Sequence, residues 1–381
     1  MTNPYATLFK VPGAVAFSAA GFIARMPLAM AAIGIITMVS QLRGEYALAG
    51  AVSATFTVST AIGGPQVSRL VDRLGQGRVL LPAMGLSVIG SAALLLSARY
   101  HAPTWTLFAS AALAGTLPNM SAMVRARWAH VHAGSSRMHT AFSLESVVDE
   151  LTFVAGPALA VVLSTALFPE AGPLLAAILL MVGVLLFVPQ KRTEPPVREN
   201  VPAQEKGSAI RIPTVWMLAM LLAAGGVIVG TVDVVSVAFA ERLGSPASAG
   251  IVVAAYAGGS AVSGTVLTTL PLLLVDGIAV LAVAMFVSGA FFAPTMIVIM
   301  RLVEQTVPAA WLTEGMTWVL TGLSAGIALG ALISGTVVDR SGHVAGFAVA
   351  VAAGAVALMV TLLARAPLSR AVREEVEVGR S

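Results

Sequence analysis

No cysteine occurs among the 381 residues of the chain. Its absence excludes disulfides, thiolate zinc sites, iron–sulfur clusters and cysteine nucleophiles, and it removes any redox signature of a compartment. Charge is scarce too: Asp, Glu, Lys and Arg make up 10% of the residues, against roughly 25% in soluble domains. Eighteen acids and 22 Lys and Arg are too few to coat a soluble globule of this length. What fills the chain is apolar. Hydrophobic residues account for 57% of it, and a mean hydropathy of +0.91 puts most side chains against lipid or one another. The composition therefore predicts an all-α polytopic membrane protein embedded in a lipid bilayer. The pI near 9.8 does not indicate nucleic acid as a partner, because the basic residues stand singly or in small groups between apolar runs, as loop anchors do.

Apolar runs long enough to cross about 30 Å of hydrocarbon lie at 13–41, 46–68, 79–97, 104–124, 140–167 and 172–189. Five more follow at 213–240, 248–275, 278–300, 312–338 and 343–364. The first run has no small-residue cleavage site, so it is expected to be retained as a span. With the amino terminus in the cytoplasm, twelve basic residues between Lys10 and Arg211 fall in inner loops, and Arg43 and Arg99 fall in outer ones. This is the positive-inside bias. Residues 190–212 are polar, carry prolines and lack a helical apolar period, so they read as a cytoplasmic linker. The expected plan is an N-terminal six-helix half at 1–189, a linker at 190–212, and a C-terminal half at 213–381 that ends in a cytoplasmic tail.

The halves resemble each other. Residues 46–64 match 246–264 at an offset of 200, with Ala47/Ala247, Ala49/Ala249, Gly50/Gly250, Val52/Val252, Ala54/Ala254, Ala61/Ala261 and Gly64/Gly264 identical. Pro118/Pro294, Met120/Met296 and Arg125/Arg301 match at offset 176, and Gly156/Gly330 at 174. Chance similarity of Ala/Gly-rich helices is the bland alternative, but three ordered blocks favour a parallel duplication of the kind found in secondary transporters. The offset falls by 24 between Gly264 and Pro294, which removes about one helix, the ninth-equivalent, and leaves 11 to 12 membrane segments. Eleven full crossings would put the basic tail outside. A re-entrant or broken segment through 248–277, interrupted at Gly264 and Pro271, restores the tail to the cytoplasm. Inner loops then hold 17 basic residues, outer loops 4 and the membrane 1. Reversed last helices or an incomplete reading frame are the alternatives.

An ionisable side chain in hydrocarbon costs about 2.5–3.5 kcal/mol on insertion scales, so each one marks a functional candidate. Arg25 lies midway along the first span, two residues before Pro27, and is expected to face a cavity. On the fifth span Glu145 and Asp149 are four residues apart and share a helix face, with Glu150 turned about 100° away. Desolvation and mutual repulsion favour a proton on one of the pair, with Arg25 as counter-ion to the other. Glu145, nearer its helix end, is expected to be the wetter of the two. The pair is thus a proton-coupling candidate, and a structural Arg–carboxylate brace is the competing reading. Asp233, on the seventh span, is a second candidate for proton or substrate. The five histidines are read as solvated loop residues that form no metal site. Trp105, Trp128, Trp216 and Trp311 are read as interfacial anchors, whereas Trp318, deeper in its span, either packs or lines a ligand pocket. No phosphate loop, metal cluster or nucleophile is visible, so neither an enzyme nor a cofactor is expected.

Residues 69–78, RLVDRLGQGR, place Asp72, Arg73, Gly75 and Arg78 between the second and third spans. This segment resembles the signature loop of the major facilitator superfamily, matching its D-R-x-G portion, with Ser68 and Gln76 departing from the pattern. An echo, GTVVDRSG at 335–342, is read as coincidental because the repeat counterpart belongs in the missing piece. FVAGPALA at 153–160 is similar to the fifth-helix signature of that superfamily's antiporters, matching at Gly156 and Pro157, with Ala160 and Val161 replacing later glycines. The resemblance implies a rocker-switch carrier in which Asp72 engages the cytoplasmic start of the helix near Thr313. It also implies a gating loop of Asp72, Arg73, Gly75 and Arg78 and an export direction. The expected function is therefore proton-coupled efflux of a small amphipathic or hydrophobic compound by a monomer in the plasma or inner membrane. Uptake of a small metabolite and a non-transporting sensor or assembly partner are the alternatives.

Overall fold

The computed structural model of the chain describes residues 7–196, 211–262 and 312–378, except 134, 136, 245 and 247, together with scattered positions between 282 and 307. Helices dominate these stretches, in the order α1 (Ala14–Arg43), α2 (Tyr46–Leu74), α3 (Gln76–Arg99), α4 (Thr104–Ala114), α5 (Met120–Val131), α6 (Arg137–Ala166) and α7 (Ala171–Phe187), then α8 (Pro213–Arg242), α9 (Ser248–Val262) and α10 (Leu312–Val378). Six of the described segments are long and apolar enough to cross a membrane, and α4 and α7 are shorter apolar helices. Helix is what a chain must adopt there, since lipid offers the backbone no hydrogen-bond partner. The proposed re-entrant segment beyond Val262, with Gly264 and Pro271, lies outside the described residues.

One departure from the expected spans has a local cause. The run 104–124 is not one helix: α4 ends at Ala114 and α5 begins at Met120. Pro118 between them has no N–H to continue the ladder, and the Asn119 side chain accepts the Ala122 N–H to start α5. As expected, the runs 312–338 and 343–364 are separate helices within α10, divided by a kink at Gly342, where φ is 81° and ψ 170°. Turns into and out of α2 also use positive-φ glycines, Gly44 before it and Gly75 after it.

The chain forms two compact units: Met1–Gly44 with Thr55–Asn200, and Glu45–Ala54 with Val201–Ser381. In the first unit α1 is the central helix and packs against α5, α6 and α7. Leu8, Phe17, Trp128, Leu180 and Phe187 form a buried cluster at one end of it. In the second unit α8 packs against α9 and α10. The α8–α10 seam is a ladder of glycines four apart: Gly322, Gly326 and Gly330 lie against the backbone of Ala219, Ala223 and Val227. Helices gain little hydrophobic drive from meeting within lipid, so close backbone approach supplies the contact. Gly156 and Gly330, matched at an offset of 174 in the sequence, both sit at close helix contacts in their own units. A Cβ on Gly156 would meet Ala29 of α1 at 2.9 Å, and one on Gly330 would meet the Val227 carbonyl of α8 at 2.3 Å.

This packing yields a contrast between two substitutions. A Cβ at Gly326 would lie 2.0 Å from the Ala223 carbonyl oxygen, whereas one at Gly64 would meet nothing within 4 Å. Gly326→Val is expected to destabilise by about 1–3 kcal/mol, and Gly64→Ala to be neutral or slightly stabilising. Thermal unfolding in detergent checks both, and equal effects would refute the seam's role.

Candidate functional site

Arg25, Glu145 and Asp149 meet in the first unit. The Arg25 side chain is 2% exposed, and its guanidinium bridges both carboxylates: Nη2 pairs with Glu145, and Nη1 donates to Asp149 Oδ1 at 2.8 Å. Its Nε donates to the Gly21 carbonyl one turn earlier at 3.3 Å. Gly21 lets α1 approach α5, since a Cβ there would strike Val124 at 2.2 Å. The spacing of Glu145 and Asp149 thus places both on one face, but the repulsion expected between them is relieved by the single arginine inserted against both.

Each carboxylate has further partners that sequence reasoning missed. Trp128 Nε1 donates to Glu145 Oε1 at 2.8 Å. Asp149 accepts from Arg125 Nη2 at 2.7 Å and from Ser121 Oγ at 2.7 Å. Two arginines and two carboxylates therefore balance in charge, and the cluster ties α1, α5 and α6 together. The expected order of wetness is reversed: Glu145 is sealed at 0% side-chain exposure, whereas Asp149 retains 21%. Position along the helix suggested the opposite, but Trp128 covers Glu145. Among the described residues Glu150 makes no ion pair. Pro27, two residues beyond Arg25, borders a small cavity of about 30 Å³ with Ser87, Phe56, Pro173 and Leu180.

Trp128 is a core residue rather than an interfacial anchor. It is fully buried, with Phe9 and Phe17 edge-on to it at 5.9 and 4.7 Å and His132 stacked on it at 5.6 Å. His132 is accordingly a buried histidine and not a solvated one. Arg127, assigned from sequence to a loop, is fully buried as well. Its guanidinium lies 3.7 Å over the Phe187 ring. Nε donates to Gln76 Oε1 at 2.8 Å, and Nη1 to Gln190 O and Thr193 Oγ1, both at 3.0 Å. The start of the linker is consequently docked: Lys191–Thr193 form a 3-10 turn, and Glu194 accepts the Gly77 N–H at 2.7 Å and pairs with Lys191 at 2.8 Å.

Of the loop residues, Gly75 makes the turn between α2 and α3 with φ 90° and ψ 153°, and Arg73 and Arg78 are exposed. The Asp72 side chain lies outside the described residues. Gly156 and Pro157 sit inside α6, where Gly156 presses on α1. In the second unit Asp233 lies midway along α8, half-buried, with no ion pair among the described residues. Trp318 stands 6.4 Å from Trp216, and the two line an apolar cleft of about 170 Å³ with Val215, Ala219 and Gly322. Among the described residues no three His, Asp or Glu gather in a way that would hold a metal ion.

The long apolar helices and the charge cluster buried among them define a multi-pass membrane protein. The sequence profile of the Major Facilitator Superfamily matches residues 17–271, more than half of the chain, and the protein belongs to that family of transporters. Solved structures share its fold at low identity. A mutant of the nucleoside transporter NupG superposes with a TM-score of 0.68 at 14% identity, covering 92% of this chain and 98% of that one. The POT family transporter PepTSo gives 0.65 at 12% identity, covering 93% and 97%. The human organic anion transporter MFSD10 (TETRAN) gives 0.58 at 15%, covering 93% and 100%. No curated protein matches the sequence.

The docked linker makes a pH-dependent prediction. Burial raises the Glu194 pKa, but the Lys191 hydrogen bond, the Gly77 N–H and the charges of Lys191 and Arg127 outweigh it and hold the carboxyl below its ordinary value. A depressed carboxyl stabilises the fold at neutral pH and loses that contribution as pH falls through its folded value. Glu194→Gln should therefore lower the melting temperature by about 1–3 °C at pH 7, with the gap closing toward pH 3. A constant gap across that range would refute it.

Proposed function

We propose that this protein is a secondary transporter that exchanges a proton at Asp149 while exporting small amphipathic or hydrophobic organic compounds by alternating access. The observation that carries the reading is the Arg25–Glu145–Asp149–Arg125 cluster, in which Arg25 and Glu145 are buried and Asp149 keeps 21% of its side chain accessible. Ionised, Asp149 holds Arg25, Arg125 and Ser121 at once. A proton on it cancels the charge, weakens both arginine contacts and frees Arg125, while Arg25 keeps its bond to Glu145. Proton binding thereby changes how α1, α5 and α6 are tied. A difference of this kind between protonation states is what biases one access state over another.

Asp233, half-buried in α8, is the second proton or substrate group on this reading. Export rather than import rests on the similarity of Gly156 and Pro157 to the antiporter signature, and an apolar substrate on the scarcity of charge in the spans. The gating loop of Asp72, Arg73, Gly75 and Arg78 steadies the inner face. On this reading Asp72 serves as a helix-start partner, since a carboxylate is favoured at that end of a helix dipole. The proposed location is the plasma or inner membrane, as a monomer with both termini in the cytoplasm.

Proteoliposomes loaded with a pH-sensitive dye and offered a compound panel test the coupling. Asp149→Asn and Arg25→Ala should each stop or uncouple the cycle, and unchanged proton flux in both variants refutes it. An imposed proton gradient that drives substrate inward overturns the direction. For the gate, Asp72→Asn should slow transport without preventing membrane insertion, and a normal transport rate counts against that role.

A further inference from the structure

The second D-R-x-G segment, Asp339 to Gly342, has no part in the machinery described so far, yet its backbone repeats the turn at 72–75. Gly75 has φ 90° and ψ 153°, and Gly342 has φ 81° and ψ 170°, values in a region that is essentially glycine's own. An aspartate precedes each glycine by three positions. Asp339 meets the first turn of α2: Oδ1 accepts the Tyr46 N–H at 3.0 Å, and Oδ2 the Ala47 N–H at 2.6 Å. Amides of a first helical turn have no partner in their own helix, so the carboxylate supplies what α2 lacks and sits at the favoured end of its dipole.

Other contacts of the second unit converge on the same turns. The Tyr46 hydroxyl donates to Glu241 near the end of α8. Gly335 brings the α10 backbone so near that a Cβ would lie 2.4 Å from the Tyr46 carbonyl oxygen, and a Cβ on Gly50 would lie 2.2 Å from that of Ala331. Residues Glu45–Ala54 thus cluster with the second unit, although α2 from Thr55 onward clusters with the first.

We propose that Asp339 is a latch that holds the first turns of α2 in the second unit, and that its release lets Glu45–Ala54 leave, opening that end of the transport path. The carboxylate gives the latch its direction, the two glycines give it close backbone contact, and Tyr46 with Glu241 forms a second fastening. It operates whatever ion or compound is carried, so its failure and that of proton coupling at Asp149 are separately visible.

The absence of cysteine supplies a silent background for the test. Val52 is fully buried in the latched turns, and Val52→Cys in the full chain, solubilised in detergent, should react slowly with a maleimide. Asp339→Ala in that background should speed labelling about fivefold, the ratio that goes with losing one helix cap. Gly335→Val, which wedges the seam without touching the carboxylate, should speed it as well, whereas Asp339→Glu should stay slow. Size-exclusion profiles and melting curves identify variants that fail to fold. Should Asp339→Ala be among them, Asp339→Asn, which keeps one acceptor oxygen, and Gly335→Val decide the matter. Labelling as slow in the folded latch variants as in the parent overturns the proposal.

Discussion

Hydrocarbon offers a charged side chain no water, so any ion held there must find its opposite within the protein. Arg25 satisfies that constraint by facing two carboxylates, and Asp149 by facing two arginines. Much of the first unit's architecture is bound up with this matching. α1 is central and buried on most sides because its cation must reach α6, and α5 must begin afresh after Pro118 so that Ser121, Arg125 and Trp128 come to the same place. The cluster is stiff at one end and loose at the other. Trp128, wedged between Phe9, Phe17 and His132, fixes Glu145, whereas Asp149 is held by a serine and by a partly exposed arginine. On the proposed reading that asymmetry assigns the two carboxylates different roles, one bracing and one exchanging.

Backbone proximity does in the second unit what charge does in the first. The glycines of α10 bring its main chain against α8 over three successive turns, and dispersion over so close a seam replaces the hydrophobic drive that lipid removes. Such a seam has discrete fits rather than a continuum of them. It holds Trp318 beside Trp216 and leaves an apolar cleft where their rings part.

Most helix positions among the described residues were legible in the sequence, because apolar length answers directly to the bilayer. The shared face of Glu145 and Asp149 was legible because helical spacing is fixed, and Arg25 stood out by its depth. Arg125, Arg127 and Trp128 were not. A basic residue just past an apolar run is ordinarily a loop anchor, and although Pro118 and Asn119 mark the start of a separate helix, nothing local reveals that it turns Arg127 and Trp128 inward. The pairing of Arg127 with Gln76, Gln190 and Thr193 spans 51 to 66 positions, a tertiary fact with at most a faint trace in the polar residues that flank each span. Depth along a helix also misjudged Glu145, because burial depends on what covers a residue as well as on how far in it lies.

The two D-R-x-G turns illustrate a different limit. Duplication predicts no counterpart of 72–75 at 339–342, and by descent the echo is coincidence. By physics it is not. A helix leaving the membrane and turning sharply needs a residue tolerant of positive φ, which selects glycine at Gly75 and Gly342. Arg73 and Arg340 are both exposed, as a cation beside the bilayer surface requires. An acid three residues before the turn is within reach of a neighbouring helix start, and Asp339 has found one in α2. The turn and the surface position call for glycine and arginine at both places, and at Asp339 the motif identifies a place where one helix is fastened to the beginning of another.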